Sequence, residues 1–245
     1  INQTESYYED LVNSVNGVLF PGGAASFKTK NGYADAAWTL YKLAIRKNQA
    51  GEYFPVWGTC LGFELLSFLA TQQVNILTNC EAENVAMPLQ FKPDFGTSKM
   101  FGEAPDNIIQ ILETENVTAN YHHFCITETN FTTAGLSRDW RVISVNKDVN
   151  DLEFISSFEH KQYPIYGVQF HPEKNTYEWK VTNNNPHSAN AILAEEFFAD
   201  FFVNEARKSS HHFPTQRDEE QALIYNFQPE YTGWNGSSFE QIYFF

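Results

Sequence analysis

The sequence predicts an α/β fold built on an open, mostly parallel sheet with helices on both faces. Short apolar runs alternate with longer segments of helical apolar spacing, in the order strand, helix, strand, tight turn, helix. The 245 residues suffice for one such domain with a sizeable core. No apolar run reaches the roughly 20 residues that would span a membrane, so a membrane partner is not expected.

The individual elements follow from apolar spacing and from the residues that end each run. The predicted helices are Glu5–Asn13, Tyr33–Lys47, Phe63–Ala70 and Ser188–Arg207. The predicted strands are Gly17–Phe20, Tyr53–Trp57, Arg141–Asn146, Leu152–Phe158 and Ile165–Phe170. Pro21-Gly22-Gly23 ends the first strand in a turn.

The remaining segments carry weaker signals. We predict short strands and a loop over Gln73–Lys99, and a loop at Asn120–Phe124. We read 1–245 as a single domain with a C-terminal extension over 209–245, which begins with a polar, exposed link, Ser209–Glu220. The apolar segments that follow it, Ala222–Phe227 and Phe239–Phe245, are expected to dock on the domain or on a partner subunit.

The stretch Phe54–Leu66 holds a strand that turns directly into a helix, with Cys60 at the turn. Gly58 and Gly62 flank the cysteine and permit the tight backbone angles that such a turn needs. The free N–H groups and dipole of the following helix favour negative charge, so we expect them to lower the pKa of Cys60 and create a thiolate nucleophile. The alternative is a buried cysteine without a chemical role.

A second strand ends at His171-Pro172-Glu173. Pro172 stops the strand, so His171 lies at its carboxyl end, where sites in open parallel sheets gather. Glu173 is close enough in sequence to orient the imidazole and stabilise its charge. Cys60 and His171 are 111 residues apart, so only the fold can bring them together.

These two stretches resemble the class I glutamine amidotransferase superfamily. The resemblance rests on the turn Gly58-Thr59-Cys60-Leu61-Gly62 and on the strand end Gly167–Glu173. Within the superfamily, the chain is more similar to hydrolases that cut gamma-glutamyl bonds. The stretches that carry this narrower likeness are Phe20–Gly23, Val56–Glu64, Val85–Leu89, Thr118–His122 and Phe201–Arg207.

The resemblance implies a cysteine hydrolase that cleaves gamma-glutamyl amide bonds through a thioester. It implies Cys60, His171 and Glu173 as catalytic residues, and the backbone N–H groups of Gly23 and Leu61 as oxyanion donors. It also places Gly22 and His122 in the substrate site, although a surface histidine pair is the alternative for His122. The implied substrates are folate and antifolate poly-gamma-glutamates, with no cofactor, no metal and a homodimeric assembly. A preceding strand and helix, absent from this numbering, are expected as well.

Glu64 separates this interpretation from its first rival, a glutamine amidotransferase domain that supplies ammonia to a synthetase. Such domains typically carry Gln four residues after the cysteine, where this chain has Glu64. That position lies on the same helix face as the turn, so Glu64 is expected to face the site and to accept a substrate N–H. The second rival is an inactive binding protein on the same fold, and the intact Cys60, His171 and Glu173 argue against it.

The net charge of −14 argues against a nucleic-acid partner and sits awkwardly with a polyanionic substrate. We therefore expect a few cations to face the cleft. The candidates nearest the motifs are Lys28 and Lys30 after the glycine loop and Lys174 after Glu173. Each one alone reads as an ordinary solvated lysine, but we predict that at least one binds a substrate carboxylate.

Four N-glycosylation sequons favour the secretory route and a lysosomal or secreted protein. They begin at Asn2, Asn116, Asn130 and Asn235. Apart from Cys60, the chain has two cysteines, Cys80 and Cys125, without the Cys-x-x-Cys spacing typical of a metal site. These two cysteines can pair or stay free, and we favour two buried, free thiols.

Overall fold

The structure is a computed structural model that describes residues 1–237 and 239–244, without the side chain of Asn235. The last residue of the predicted apolar segment Phe239–Phe245 therefore lies outside the described residues. The strands are β1 (Val18–Phe20), β2 (Val56–Thr59), β3 (Thr78–Met87), β4 (Gln90–Phe91), β5 (Thr118–Cys125), β6 (Trp140–Lys147), β7 (Glu153–His160), β8 (Ile165–Val168), β9 (Glu230–Tyr231) and β10 (Gln241–Ile242).

The helices occupy the segments between these strands. They are α1 (Glu5–Ser14), α2 (Tyr33–Gln49), α3 (Leu61–Ala70), α4 (Asp106–Thr114), α5 (Glu128–Thr133), α6 (Lys174–Tyr177), α7 (Ala189–Ala206) and α8 (Gln216–Ala222). Short 3₁₀ turns cover Phe95–Thr97, Leu136–Arg138, Ile224–Asn226 and Gly233–Asn235. Within the described residues, none of these helices combines the length and the apolar character that crossing a bilayer requires.

The main sheet has the strand order β1-β2-β8-β7-β6-β4. β1, β2 and β8 pair in parallel, whereas β7 runs antiparallel to β8, β6 to β7 and β4 to β6. Four of these six strands therefore share one direction, and only β7 and β4 run against it. The predicted α/β architecture with a mostly parallel sheet is confirmed, and its parallel part holds the strands that end at the predicted site.

Both faces of the sheet are covered by helices. Residues of α1, α2 and α3 pack on one face, and residues of α4 and α7 pack on the other. In α7, the side chains of Ala191, Ala194 and Phe198 are buried at helical spacing, and the Ser188 side chain caps the helix by accepting from the N–H of Ala191. Burial of a large apolar side chain of this kind stabilises the fold by roughly 1.5–3 kcal/mol.

A second, two-stranded sheet was not predicted. β3 and β5 pair antiparallel, so the loop predicted at Asn120–Phe124 is wrong and the short strands predicted within Gln73–Lys99 include one of ten residues. The physical reason is that β5 buries polar side chains, among them Thr118, Asn120 and His122. A strand that turns polar residues inward lacks the apolar alternation by which strands are recognised.

The C-terminal extension contacts the main domain at two places. At its start, the side chain of Asn16 donates to the carbonyl groups of Ser209 and His211. Near its end, β9 and β10 form a hairpin in which the N–H of Glu240 donates to Glu178, with N and Oε2 3.0 Å apart. Between these contacts lies α8, an exposed helix that overlaps the segment predicted as a link.

Candidate active site

The turn between β2 and α3 holds Cys60 in a backbone conformation that is unusual for a residue with a side chain. Cys60 has φ +50° and ψ −107°, in the left-handed half of backbone space. A Cβ on Gly58 would lie 2.6 Å from the carbonyl oxygen of Gly62, and a Cβ on Gly62 would overlap the carbonyl oxygen of Phe20. Both glycines are therefore required by close packing, and they hold the cysteine in a strained conformation that clusters at functional sites.

The Cys60 side chain is only 5% exposed, and its Sγ lies 4.0 Å from the carbonyl oxygen of Tyr121. Burial raises the pKa of the thiol, and the nearby carboxylates of Glu64 and Glu173 raise it further. The N–H of Leu61 acts to lower this pKa, as expected at a helix N-terminus, but it is outweighed. The prediction of a lowered pKa is therefore wrong, because it considered the helix and not the burial and the acidic neighbours.

His171 follows the end of β8, and its backbone N–H donates to the carbonyl oxygen of Ala119. Its Nδ1 lies 2.6 Å from Oε1 of Glu173, so the carboxylate holds one ring nitrogen by a hydrogen bond. The imidazole is buried, whereas the Glu173 side chain is half-exposed. Desolvation acts to raise the pKa of Glu173, but the charge and hydrogen bond of His171 outweigh it and hold that pKa below its ordinary value. The carboxylate therefore stays charged and fixes the orientation of the imidazole.

Gly22 shows how closely these groups converge. A Cβ on Gly22 would lie 2.6 Å from Cε1 of His171 and 3.5 Å from Cβ of Cys60. The loop after β1, the turn after β2 and the strand end after β8 thus meet at one edge of the parallel part of the sheet. The structure brings together the two residues that lie 111 positions apart in the sequence.

The two residues predicted as oxyanion donors also meet at this edge. Gly23 has φ +149°, a conformation that side chains rarely adopt, and its Cβ position lies 3.9 Å from Cδ2 of Leu61. The N–H of Leu61 lies within hydrogen-bonding reach of the Cys60 sulfur. Backbone N–H groups on both sides of a nucleophile can stabilise an oxygen that becomes negative.

Comparison with known proteins agrees with this geometry. The model of the Peptidase C26 family matches residues 1–173. Gamma-glutamyl hydrolase of Homo sapiens is 46% identical over 246 aligned residues, which cover all of this chain and 76% of that protein.

The chain belongs to the peptidase C26 family.

More distant relatives retain the same overall match. Gamma-glutamyl hydrolase of Rattus norvegicus is 43% identical and that of Dictyostelium discoideum, form B, is 39% identical. Each alignment covers all of this chain, and it covers 76% of the rat protein and 70% of the Dictyostelium protein. Membership of the peptidase C26 family rests on the family model over residues 1–173, and the class of cysteine hydrolase is supported further by relatives aligned over the full length of the chain.

In this C26 peptidase, Glu64 lies on α3 one turn after Cys60 and is buried. Its Oε1 accepts from Nε2 of Gln169 at 3.1 Å. Desolvation raises the pKa of Glu64 to about 7, although the hydrogen bond from Gln169 opposes the shift. The predicted position of Glu64 near the cysteine agrees with the structure, since its charge acts on the pKa of Cys60.

The three candidate lysines lie in different surroundings. Lys28 and Lys30 are exposed in the loop between β1 and α2. Lys174 is buried immediately after Glu173, and its charge acts to lower the pKa of Cys60. Of these three lysines, Lys174 is the one whose charge acts on the pKa values of Cys60 and Glu173.

His122 is buried on β5, with both ring nitrogens close to atoms of its own strand. Its Nε2 lies 3.1 Å from Oδ1 of Asn120, and its Nδ1 lies 3.1 Å from the carbonyl oxygen of Phe124. Burial lowers the pKa of His122 to about 3. The ring contacts the sulfur atoms of Cys80 and Cys125 rather than Cys60, so its assignment to the substrate site stays a prediction.

Cys80 and Cys125 form a disulfide that links β3 to β5, with their Cα atoms 5.8 Å apart. The prediction of two free thiols is therefore wrong. The pairing follows from the β3–β5 register, in which Thr78 lies opposite Cys125. The sequence does not predict this register, because Cys80 and Cys125 are 45 positions apart. Cys60 remains the free cysteine.

Sequence reasoning missed two residues of this site. Tyr121 places its carbonyl oxygen at the Cys60 sulfur, and its ring lies 6.0 Å from the His171 ring. Gln169 holds Glu64. Both lie inside stretches quoted above for the resemblance, one residue before His122 and two before His171, and this placement was the available signal.

The sequon asparagines differ in their surroundings. Asn2 and Asn116 are exposed, whereas Asn130 is half-buried and its Nδ2 donates to the carbonyl oxygen of Ile76. The side chain of Asn235 lies outside the described part of the chain. Glycosylation at these positions stays a prediction.

Proposed function

We propose that this chain is a gamma-glutamyl hydrolase that uses Cys60 as its nucleophile. One observation carries the proposal: a free cysteine, a carboxylate-bound histidine and a glycine loop meet at one sheet edge. Gamma-glutamyl hydrolase relatives, up to 46% identical over the whole chain, support the substrate bond. The substrate is a poly-gamma-glutamate, in which each residue is linked through its side-chain carboxyl group.

In the first half of the reaction, the sulfur of Cys60 attacks the gamma-carbonyl carbon. His171 takes the thiol proton as the S–C bond forms, and the carbonyl electron pair moves onto oxygen. The N–H groups of Gly23 and Leu61 stabilise that oxygen. When the C–N bond breaks, the imidazolium gives its proton to the leaving nitrogen, and a thioester remains on Cys60.

In the second half, water replaces the departed amine. His171 removes a proton from the water as its oxygen attacks the thioester carbon. The C–S bond then breaks, the sulfur leaves as a thiolate, and the imidazolium returns a proton to it. The products are a free gamma-carboxyl group and the regenerated thiol.

The surroundings of Cys60 bear on how the first step begins. Burial and two carboxylates raise the pKa of Cys60 and favour the thiol, which agrees with transfer of its proton to His171 during the attack. Glu173 accepts a hydrogen bond from Nδ1 of His171. This leaves Nε2 of His171 free to exchange protons with the Cys60 sulfur and the substrate. Glu173 is therefore a positioning residue that acts through the imidazole.

Glu64 contributes an acceptor on the same side of the turn. A carboxylate at this position suits a substrate amide N–H or an ammonium group, whereas the Gln of an amidotransferase also donates. This difference supports hydrolysis of an amide chain over release of ammonia from free glutamine. A secreted or lysosomal location and a homodimer complete the proposal, supported by the sequons and by the family resemblance.

The direct test compares three substrates with the purified chain: gamma-linked diglutamate, alpha-linked diglutamate and free glutamine. We expect release of glutamate from the gamma-linked compound and rates at least about a hundredfold lower on the other two. The Cys60→Ala variant provides the matched blank. Preference for free glutamine would overturn the proposal in favour of an amidotransferase domain, and no turnover of any substrate would favour a binding protein.

A further inference from the structure

Lys174 is a buried lysine whose ammonium group has no counter-ion in contact among the described residues. The residue is only 8% exposed. Among the residues that the structure describes, no carboxylate oxygen lies within 4.0 Å of its Nζ and no acceptor receives its hydrogen bonds. Glu173 and Glu178 are near enough to be affected by its charge. A desolvated ammonium of this kind is costly unless a partner binds it.

Two aromatic rings form the walls around this ammonium. Nζ of Lys174 lies 5.0 Å from the ring centroid of Tyr121 and 5.4 Å from that of Phe239. Rings attract a cation through their electron-rich faces but offer no hydrogen-bond acceptor in the ring plane. The residue is not sealed off, since 8% of its surface stays exposed.

The walls are held in place from outside. The hydroxyl oxygen of Tyr121 lies 3.0 Å from Oδ1 of Asn84 and 2.7 Å from Oδ1 of Asn185, so its single O–H donates within this pair of acceptors. Phe239 belongs to the turn of the β9–β10 hairpin, which the N–H of Glu240 fastens to Glu178. The ammonium thus sits in a built pocket, half of which comes from the C-terminal extension.

This pocket adjoins the reacting groups. Tyr121 is shared between them: its carbonyl oxygen lies 4.0 Å from the Cys60 sulfur, its ring lies 6.0 Å from the His171 ring, and the same ring lies beside Lys174. A substrate whose gamma-carbonyl group is at Cys60 therefore carries its nearest charged groups within reach of Lys174. For a gamma-linked glutamate chain those groups are alpha-carboxylates.

We propose that Lys174 binds the alpha-carboxylate of a glutamate beside the scissile bond, and that the C-terminal hairpin is a wall of the substrate site. This assignment rests on the proposed gamma-glutamyl hydrolase function. It also accounts for how a chain of net charge −14 accepts an anionic substrate, since a cation lies beside the reacting groups. A compact carboxylate provides the hydrogen-bond acceptors that the two rings lack.

The test is steady-state kinetics with gamma-linked diglutamate and two analogues. Each analogue has one alpha-carboxylate, on the acyl residue or on the leaving residue, replaced by a carboxamide. The variants are Lys174→Met, Phe239→Ala and the control Tyr225→Ala, which removes a ring of the same extension that is 83% exposed. Thermal melting monitors folding, and Phe239→Ala carries the test if Lys174→Met does not fold.

We expect Lys174→Met to raise KM for diglutamate about tenfold or more and to change kcat less, because a contact equal in ground and transition states acts on KM. For the analogue that lacks the carboxylate bound by Lys174, Lys174→Met should leave KM at the wild-type value for that analogue. Phe239→Ala should raise KM about threefold, and Tyr225→Ala should leave it unchanged.

Two failures are distinguishable. If the wild type does not cleave diglutamate, the proposed function falls and this assignment falls with it. If the wild type cleaves it but Lys174→Met loses the same factor on all three substrates, Lys174 acts on the catalytic groups and the carboxylate assignment alone is overturned. Equal KM values for Phe239→Ala and Tyr225→Ala would remove the hairpin from the substrate site.

Discussion

The protein contains two neighbourhoods in which cysteine sulfur and a buried histidine meet. At the edge of the main sheet, Cys60 lies beside His171, whose Nδ1 is held by a carboxylate. In the small sheet, the Cys80–Cys125 disulfide lies beside His122, whose nitrogens meet a neutral amide and a carbonyl oxygen. Similar residue types thus serve different chemistry in the two places.

The difference teaches that backbone geometry and the partner of the imidazole decide the role. Cys60 is held at φ +50° at the tip of a turn, whereas Cys80 and Cys125 lie in extended strands that pair with each other. Burial lowers the pKa of His122 to about 3, and the hydrogen bond to the Phe124 carbonyl oxygen opposes this shift without offsetting it. His171 has a carboxylate partner instead. The main-sheet neighbourhood pairs its imidazole with a carboxylate, and the small-sheet one is expected to stabilise the fold.

The largest expected effect separates the two neighbourhoods directly. Cys60→Ala should abolish turnover of a gamma-glutamyl substrate, and His171→Asn should reduce kcat by roughly a thousandfold or more. The Cys80→Ala/Cys125→Ala double variant should keep kcat within about threefold of the wild type at a temperature where it is folded. Near-normal activity of Cys60→Ala would contradict the mechanism, whatever kcat the double variant shows.

The same double variant should lose stability instead of activity. The disulfide closes a long loop, since its two cysteines are 45 positions apart in the sequence. Its removal is expected to lower the free energy of unfolding by about 2–4 kcal/mol. Urea unfolding of the two proteins measures this difference. Equal unfolding free energies, with kcat reduced, would reverse the roles assigned to the two neighbourhoods.

Glu64 tests the acidic surroundings of Cys60 through the pH dependence of stability. The pKa of Glu64 is about 7 in the folded chain and 4.5 in the unfolded chain. Between pH 4.5 and pH 7, the Glu64 carboxyl group is therefore mostly protonated in the folded chain and mostly ionised in the unfolded chain. The resulting stabilisation is complete below pH 4.5 and is lost as the pH rises through 7. From pH 5 to pH 7 the wild type should lose about 2 kcal/mol more unfolding free energy than Glu64→Gln. Parallel stability profiles for the two proteins would show that Glu64 is ionised throughout.

The smallest expected effect concerns the partner of His171. Glu173→Ala should reduce kcat about tenfold, because the imidazole keeps its backbone anchor at Ala119 and its place beside Cys60. Glu173→Gln preserves the hydrogen bond without the charge and should recover part of the loss. A loss equal to that of His171→Asn would mean that Glu173 is more than a positioning residue.

The meeting of Cys60 and His171 at one sheet edge was largely predictable because its signals are local. A glycine-flanked cysteine and a strand-ending histidine mark the two ends of the site, and the parallel pairing of β2 and β8 places them side by side. The small sheet was not predictable in the same way. β5 buries Asn120 and His122, and register shifts interrupt its pairing with β3, so neither strand shows a clean period of two.

The pKa of Cys60 and the pocket at Lys174 show a second limit of prediction from the sequence. Both depend on residues that arrive from other segments: Glu173 and Tyr121 come from different parts of the chain, and Phe239 lies 65 residues after Lys174. Local sequence predicted the helix N-terminus at Cys60 correctly, but not the burial and charges that outweigh it. Electrostatics of this kind is decided by tertiary packing.

The most direct test of the account is the identity of the residue that carries the acyl group. Acid quenching in the first turnover with gamma-linked diglutamate, followed by peptide mass mapping, locates the thioester. We expect one glutamyl group on the peptide that contains Cys60, in the wild type and in the Cys80→Ala/Cys125→Ala variant, and none in Cys60→Ala. A glutamyl group on any other residue would contradict the assignment of Cys60 as the nucleophile.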